Sequence, residues 1–94
     1  MKTTIIQQLL KDELKASVEG DTYSLAGEDT LTVFAQQGQS AMQVQGVKSI
    51  RFQEEFLSLF TEDDVYYLEP DVVLGLKATN PTIDKEEKRT GFRH

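Results

Sequence analysis

Three short apolar runs separated by two polar turns, between residues 54 and 78, constrain the fold of this chain more than any other feature. The runs are residues 56–60, 65–68 and 72–77. Each is rich in strand-forming side chains and too short for a stable helix. Asp63 and Asp64 favour a turn after the first run, and Pro70 fixes φ in the turn after the second. Two successive hairpins predict an antiparallel meander.

The third run also predicts which of its side chains share a face. Because strand side chains alternate, Val72, Leu74 and Leu76 are expected on one face. Val73 is then expected on the opposite face, which is half polar.

An amphipathic segment at residues 3–18 predicts the one helix. Ile6, Leu10 and Leu14 recur every four residues and form an apolar stripe. Gly20 stands where a glycine that ends a helix would stand. Packing of the stripe on the sheet is the simpler interpretation, and docking of a partner is the alternative.

The region between the helix and the meander predicts further strands. They are residues 22–25, which are optional, 30–35 and 41–52. Gly46 interrupts the longest run, and a glycine in mid-strand marks a bulge or a bend. The fold class is therefore mostly β (α+β): an N-terminal amphipathic helix and a five- or six-stranded, strongly bent antiparallel sheet or small barrel.

Polarity divides the chain into a body and a tail. Residues 1–79 are expected to form a single small domain, because 94 residues suffice for only one. Residues 80–94 are charged and poor in apolar side chains, so we expect a disordered tail. Gly91-Phe92-Arg93 is an alternative short docking motif within it.

A helix followed by antiparallel strands, the longest of them bent, resembles the layout of Sm-like and other SH3-like small barrels. The final two runs and the turn Glu69-Pro70-Asp71 resemble the closing strand pair of Sm-like proteins. The resemblance implies that the edges of the last two strands pair between subunits. The RNA-binding motifs of that family are not matched, since the closing turn has no Arg-Gly pair, so no RNA site is carried over.

The charge of the body disfavours anionic partners. The chain has a net charge of −6. Residues 1–79 hold thirteen acidic and six basic side chains, which gives −7. Such a body repels phosphate backbones and anionic membranes, so nucleic acid is an unlikely partner and no membrane binding is expected. Lys48 and Arg51 on the bent strand are the candidate ligand contacts.

Catalytic chemistry has little support in the residues present. There is no cysteine, and His94 is the only histidine. A histidine at the last position is not held against a substrate. Asp63 and Asp64 are interpreted as a solvated turn rather than a cation site. We predict no enzyme activity, no catalytic residues, no metal and no cofactor. A chain without cysteine, a membrane-length apolar run or a signal-peptide pattern is expected in the cytoplasm.

The tyrosines give the main hint of function. Tyr66 and Tyr67 are adjacent on a strand, so they point to opposite faces and at least one lies outside the core. Exposed aromatic side chains suit protein interfaces. With Tyr23 and Val73 they are the candidate interface residues.

These observations lead to a functional hypothesis with an alternative. The first hypothesis is a non-catalytic protein-interaction or self-assembly module that forms homo-oligomers, with any other protein partner unidentified. The alternative is a binder of small ligands or nucleic acid that uses the bent strand around Lys48 and Arg51.

Overall fold

The computed structural model describes residues 1–80, which form a mostly β fold with one N-terminal helix. Its elements are α1 Thr3–Gln8, continued by a π-helical turn Leu9–Glu13, then β1 Ser17–Glu19, β2 Thr22–Ser24, β3 Thr30–Gln37, β4 Ser40–Val47, β5 Ser49–Phe52, β6 Leu57–Phe60, β7 Val65–Leu68, a 3₁₀ turn Pro70–Val72 and β8 Val73–Thr79. No helix in this part of the chain is both long and apolar enough to cross a bilayer. The expected tail beyond residue 80, with its Gly91-Phe92-Arg93 motif, lies outside the described residues.

The strands form two antiparallel sheets. One has the order β1-β2-β5-β6-β7 and the other has the order β4-β3-β8. The predicted fold class, an N-terminal helix followed by bent antiparallel sheet, is confirmed. Of the two predicted forms, an open sheet or a small barrel, the structure has the open one, because its sheets do not close into a barrel. Residues 1–80 contain eight strands where five or six were expected. Two of the three residues of β1 lie in the segment predicted as helix, and the long run divides into β4 and β5.

The division of the long run confirms the bend predicted near Gly46. Gln45 and Gly46 together oppose Thr32 of β3, a bulge in which Gly46 takes a φ of 72°. Lys48 then separates the two strands. Its amide donates to the Phe60 carbonyl at 2.8 Å, and its carbonyl accepts from the Leu25 amide at 2.9 Å. The backbone therefore passes from one sheet to the other without losing its hydrogen bonds.

The helix is shorter than predicted. Its π-helical turn closes with a bond from the Leu14 amide to the Leu9 carbonyl at 3.1 Å. Lys15 follows with a φ of 55°, which ends the helix. Gly20 does not cap the helix and instead occupies the β1–β2 turn with a φ of 62°. The expected end at residue 18 was wrong because Val18 pairs with Tyr23 in a hairpin.

The faces predicted for the last strand are also wrong. Ala35 pairs with Val73 and Phe34 pairs with Gly75, so Leu74 is the extra residue of a bulge. The alternation of side chains between the two faces is therefore interrupted at Leu74 and resumes after it. Val73 is 2% exposed and belongs to the core, whereas Leu74 is 56% exposed.

The core joins both sheets and the helix. Its buried members are Ile6, Leu10, Leu31, Val33, Val44, Val47, Ile50, Phe52, Leu57, Leu59 and Val73. Ile6 and Leu10 come from the predicted helical stripe, which therefore packs on the sheets. Its neighbour Ile5 is left 45% exposed.

Candidate interaction edges and groove

The β7 strand is an open edge of the five-stranded sheet. In the β6–β7 hairpin the Thr61 amide donates to the Asp64 carbonyl at 2.9 Å. Bonded and non-bonded pairs alternate along antiparallel strands. Counting along the register from that pair, Tyr66 exchanges backbone bonds with β6, whereas Val65 and Tyr67 do not. The amides and carbonyls of Val65 and Tyr67 therefore point away from the sheet and lack a strand partner in the monomer.

The same two residues carry exposed side chains. Tyr67 is 66% exposed and Val65 is 42% exposed. Both lie on the outer face of the sheet, because Tyr67 pairs with Ser58, and Val65 with Phe60, on that face. Tyr66 lies on the opposite face. Adjacent tyrosines thus diverge, as the alternation of strand side chains requires.

An aromatic pair fixes the orientation of Tyr67. The rings of Phe56 and Tyr67 meet edge to face with centroids 5.9 Å apart. Ser58 lies between Arg51 and Tyr67 in the register and is 3% exposed, and its hydroxyl hydrogen-bonds Gln53. Phe56 and Tyr67 therefore form one exposed aromatic surface at this edge of the single chain.

The β8 strand, at the margin of the three-stranded sheet, is another of the four edge strands in residues 1–80. Its first residue already has a partner within the chain, because the Met1 ammonium donates to the Val73 carbonyl at 2.6 Å. Its bulge directs Leu74 into solvent, so this edge also presents a large apolar side chain. The β7 and β8 strands are consecutive and joined by the 3₁₀ turn, yet they belong to different sheets, so the second of the two predicted hairpins was wrong. The β7 and β8 edges are therefore distinct surfaces of one chain.

Two of the predicted interface residues pack inward. Tyr23 is half-buried and meets Phe52 edge to face at 5.0 Å between ring centroids. The Val73 side chain is buried in the core, so its assignment to an exposed face is corrected by the bulge that follows it. Sequence reasoning passed over Phe56 and Leu74. For Phe56 the sequence did contain a signal, namely an aromatic residue near a strand that carries two tyrosines.

A groove follows the bend between the sheets. It consists of two adjoining cavities of about 800 Å³ and about 590 Å³. Thr30, Gln45 and Gly46 line both, so the bulge forms the junction between them. We call the two cavities together the bend groove. The larger one reaches Asn80, and the smaller one reaches the acidic turn before β7.

The two candidate ligand contacts, Lys48 and Arg51, are not brought together. Lys48 lines the smaller cavity with Tyr66. Arg51 lines neither cavity and lies exposed on the outer face of the sheet, opposite Ser58. The carboxylates that share the cavity with Lys48 are Glu28, Glu62, Asp63 and Asp64. A phosphate would therefore meet four acidic side chains beside that single lysine.

Metal chemistry receives no support from the side chains of residues 1–80. No group of three or more carboxylate, imidazole or thiol side chains is arranged there to hold a metal ion. The acidic turn at residues 62–64 instead has an ordinary turn structure, in which the Thr61 hydroxyl accepts from the Asp64 amide at 2.9 Å.

Comparison with known proteins adds no family. No family model, curated protein or solved structure matches this chain. The functional argument therefore depends on the β7 and β8 edges and the bend groove.

Proposed function

We propose that this chain is a non-catalytic self-assembly module, in which β7 of one copy pairs with β8 of the next. The observation that carries the proposal is that these two edge strands hold the two most exposed large hydrophobic side chains of residues 1–80, Tyr67 on β7 and Leu74 on β8. Open edges with apolar side chains are templates for strand pairing unless another chain covers them.

Because the edges are different surfaces, the contact would be heterologous. Contacts of that kind repeat head to tail and produce a ring if the rotation closes, or a filament if it does not. Pairing between the last two strands is also what the resemblance to Sm-like proteins implies. The absence of cysteine suits the reducing cytoplasm, where we place this assembly.

The interface would be modest in size. The β7 strand has four residues, and only Val65 and Tyr67 direct backbone groups outward. Each backbone hydrogen bond contributes about 0.5–1.5 kcal/mol net. Burial of Tyr67, Val65 and Leu74 must supply much of the remainder. We therefore expect assembly that depends on protein concentration in the micromolar range.

Proline substitution on β7 tests the proposal. Tyr67→Pro removes an outward amide hydrogen that makes no bond within the hairpin, so the monomer should stay folded while assembly is lost. Tyr66→Pro is the matched control, since it removes an amide that bonds β6 and should lower the free energy of unfolding. Sedimentation velocity over a range of concentrations measures the mass of each protein, and circular dichroism measures folding.

Two results would overturn the proposal. One is a wild-type mass of 10.6 kDa, that of a single chain, at tens of micromolar. The other is an oligomer whose mass Tyr67→Pro leaves unchanged. Tyr67→Ala separates the two contributions, because it removes the ring and keeps the outward amide.

A further inference from the structure

The chain leaves the described fold inside the bend groove. Thr79 and Asn80, the last described residues, line the larger cavity, and the Asn80 amide donates to the Asp29 carboxylate at its margin. The segment that follows therefore starts at one end of a groove whose other end lies at the acidic turn of residues 62–64. The covalent link to Asn80 therefore keeps the residues that follow it close to the groove.

The groove is acidic toward its far end. Six acidic side chains and three lysines line the two cavities, a net charge of −3. In the larger cavity two acids balance Lys15 and Lys77. In the smaller cavity four acids outnumber Lys48, so the whole excess lies there. A cationic segment would find its complement at the end of the groove distant from Asn80.

The sequence beyond residue 80 contains a cationic segment, and that segment is separated from Asn80 by several residues. Residues 88–94 read KRTGFRH, with three permanent cations and no acidic side chain. Lys88 follows Asn80 by eight residues, which span at most about 26–29 Å when extended. Phe92 adds one large apolar side chain, and Tyr66 offers an aromatic surface in the smaller cavity.

We propose that residues 88–94 bind in the smaller cavity of the bend groove of their own chain. Lys88, Arg89 and Arg93 complement the carboxylates, and Phe92 packs toward Tyr66. Tethering keeps the segment at an effective concentration in the millimolar range, so weak contacts suffice for occupancy. Screening by salt releases it, because the attraction is largely between solvent-exposed charges. This docking is independent of strand pairing at β7 and β8.

A spin label tests the proposal cleanly because the chain has no cysteine. A nitroxide on Thr90→Cys broadens the amide signals of nuclei near it. The full chain is used, in the Tyr67→Pro background so that assembly does not contribute. At low salt we expect loss of intensity at Gly46, Lys48 and Asp63, and much less at Gln39 in the β3–β4 hairpin loop, seven residues or roughly 23 Å along β4 from Gly46. The intensities should recover at about 0.5 M salt, where the Debye length is below 5 Å.

Charge reversal supplies a matched pair of variants. Asp63→Lys with Asp64→Lys, in the labelled chain, should abolish the broadening in the groove. Glu54→Lys with Glu55→Lys makes the same change in net charge in a turn that lines neither cavity, and should leave the broadening intact. Equal effects of the two pairs would overturn the proposal.

Two further results would overturn it. One is broadening that is absent or spread evenly over the fold. The other is broadening of the groove signals in a mixture of two chains, one isotope-labelled without nitroxide and one nitroxide-bearing without isotope. Broadening of the groove in that mixture would mean that a second copy supplies the segment.

Discussion

At the scale of single residues, the least favourable backbone conformation in residues 1–80 belongs to Lys15. It is the only residue there, other than glycine, with a positive φ, at 55°. A side chain in the left-handed region costs roughly 1–2 kcal/mol relative to the right-handed one. The conformation ends the helix and turns the chain toward β1, and Lys15 also lines the bend groove.

Replacing Lys15 with glycine should therefore stabilise the protein. Lys15→Gly relieves the strain, and the entropy that glycine loses on folding offsets part of the gain. We expect the free energy of unfolding, measured by urea denaturation, to rise by about 0.5–1 kcal/mol. Lys15→Ala loses the same charge but keeps the strain, so it should stay within about 0.5 kcal/mol of wild type. A loss of stability in Lys15→Gly would contradict this account.

Gly46 also has a positive φ, but here, unlike at Lys15, the residue type suits the conformation. Open space surrounds the position where its Cβ would lie, so collision does not explain the need for glycine. Its φ of 72° does, because β4 requires that conformation at the bulge. Sequence reasoning located this position correctly, since a glycine within an otherwise apolar alternation has few other interpretations.

At the scale of elements, the bulge in β8 decides which side chains of the last strand are available. The alternation of Val72, Leu74 and Leu76 is a sound pattern for a regular strand, yet Leu74 is the residue left over when β8 pairs with β3. A bulge depends on the partner strand and on the 3₁₀ turn before it, so the sequence of β8 alone does not contain it.

Alanine substitutions at Val73 and Leu74 should separate the two faces. Val73→Ala removes buried groups and should lower the free energy of unfolding by about 1–3 kcal/mol. Leu74→Ala removes an exposed group and should change it by less than about 0.5 kcal/mol, while it weakens assembly if β8 is a contact edge. Denaturation and sedimentation of the same samples measure both effects. The reverse order of stabilities would mean that β8 is a regular strand.

The helix end shows a similar limit of prediction. Ile6 and Leu10 were identified as the buried stripe from their spacing, and they are core residues. The stop at Glu13 was missed because lysine at position 15 is not a residue type that favours a left-handed conformation. Tertiary pairing of Val18 with Tyr23 outweighed the local helical pattern.

At the scale of the whole molecule, the two sheets should unfold as one unit. One run of backbone passes through both of them at Lys48, and the buried cluster contains side chains from both sheets and the helix. Neither sheet buries its inner face without the other.

Native-state hydrogen exchange tests that coupling. Val33→Ala should lower the free energy of exchange equally for the protected amides of β3 and of β6, although β6 belongs to the other sheet. Leu74→Ala is the control and should leave both unchanged. A decrease confined to β3 would show that the three-stranded sheet opens alone.

Local sequence pattern predicts part of the exposed surface of β7, but it does not predict the bend groove. Two adjacent tyrosines on one strand predict that at least one of them is exposed, and the structure shows that Tyr67 is the more exposed one. The bend groove brings together the end of the helix, the bulge, the acidic turn and the end of β8, which are far apart in sequence. Only the path of the chain in three dimensions assembles it.

The bulge at Gln45 and Gly46 also sets a rule for insertions and deletions. One extra residue there allows Val44 and Val47 both to face inward although Val47 follows Val44 by three residues, which would put them on opposite faces of a regular strand. Deleting either bulge residue would leave Val44 and Val47 two positions apart and still on one face, but it would make the pairing with β3 regular and remove the bend that leads the chain into β5. Changes of length should therefore be tolerated in the tight loop at residues 38–39 and rejected between positions 44 and 47, which makes this short segment a reference mark for aligning any related chain.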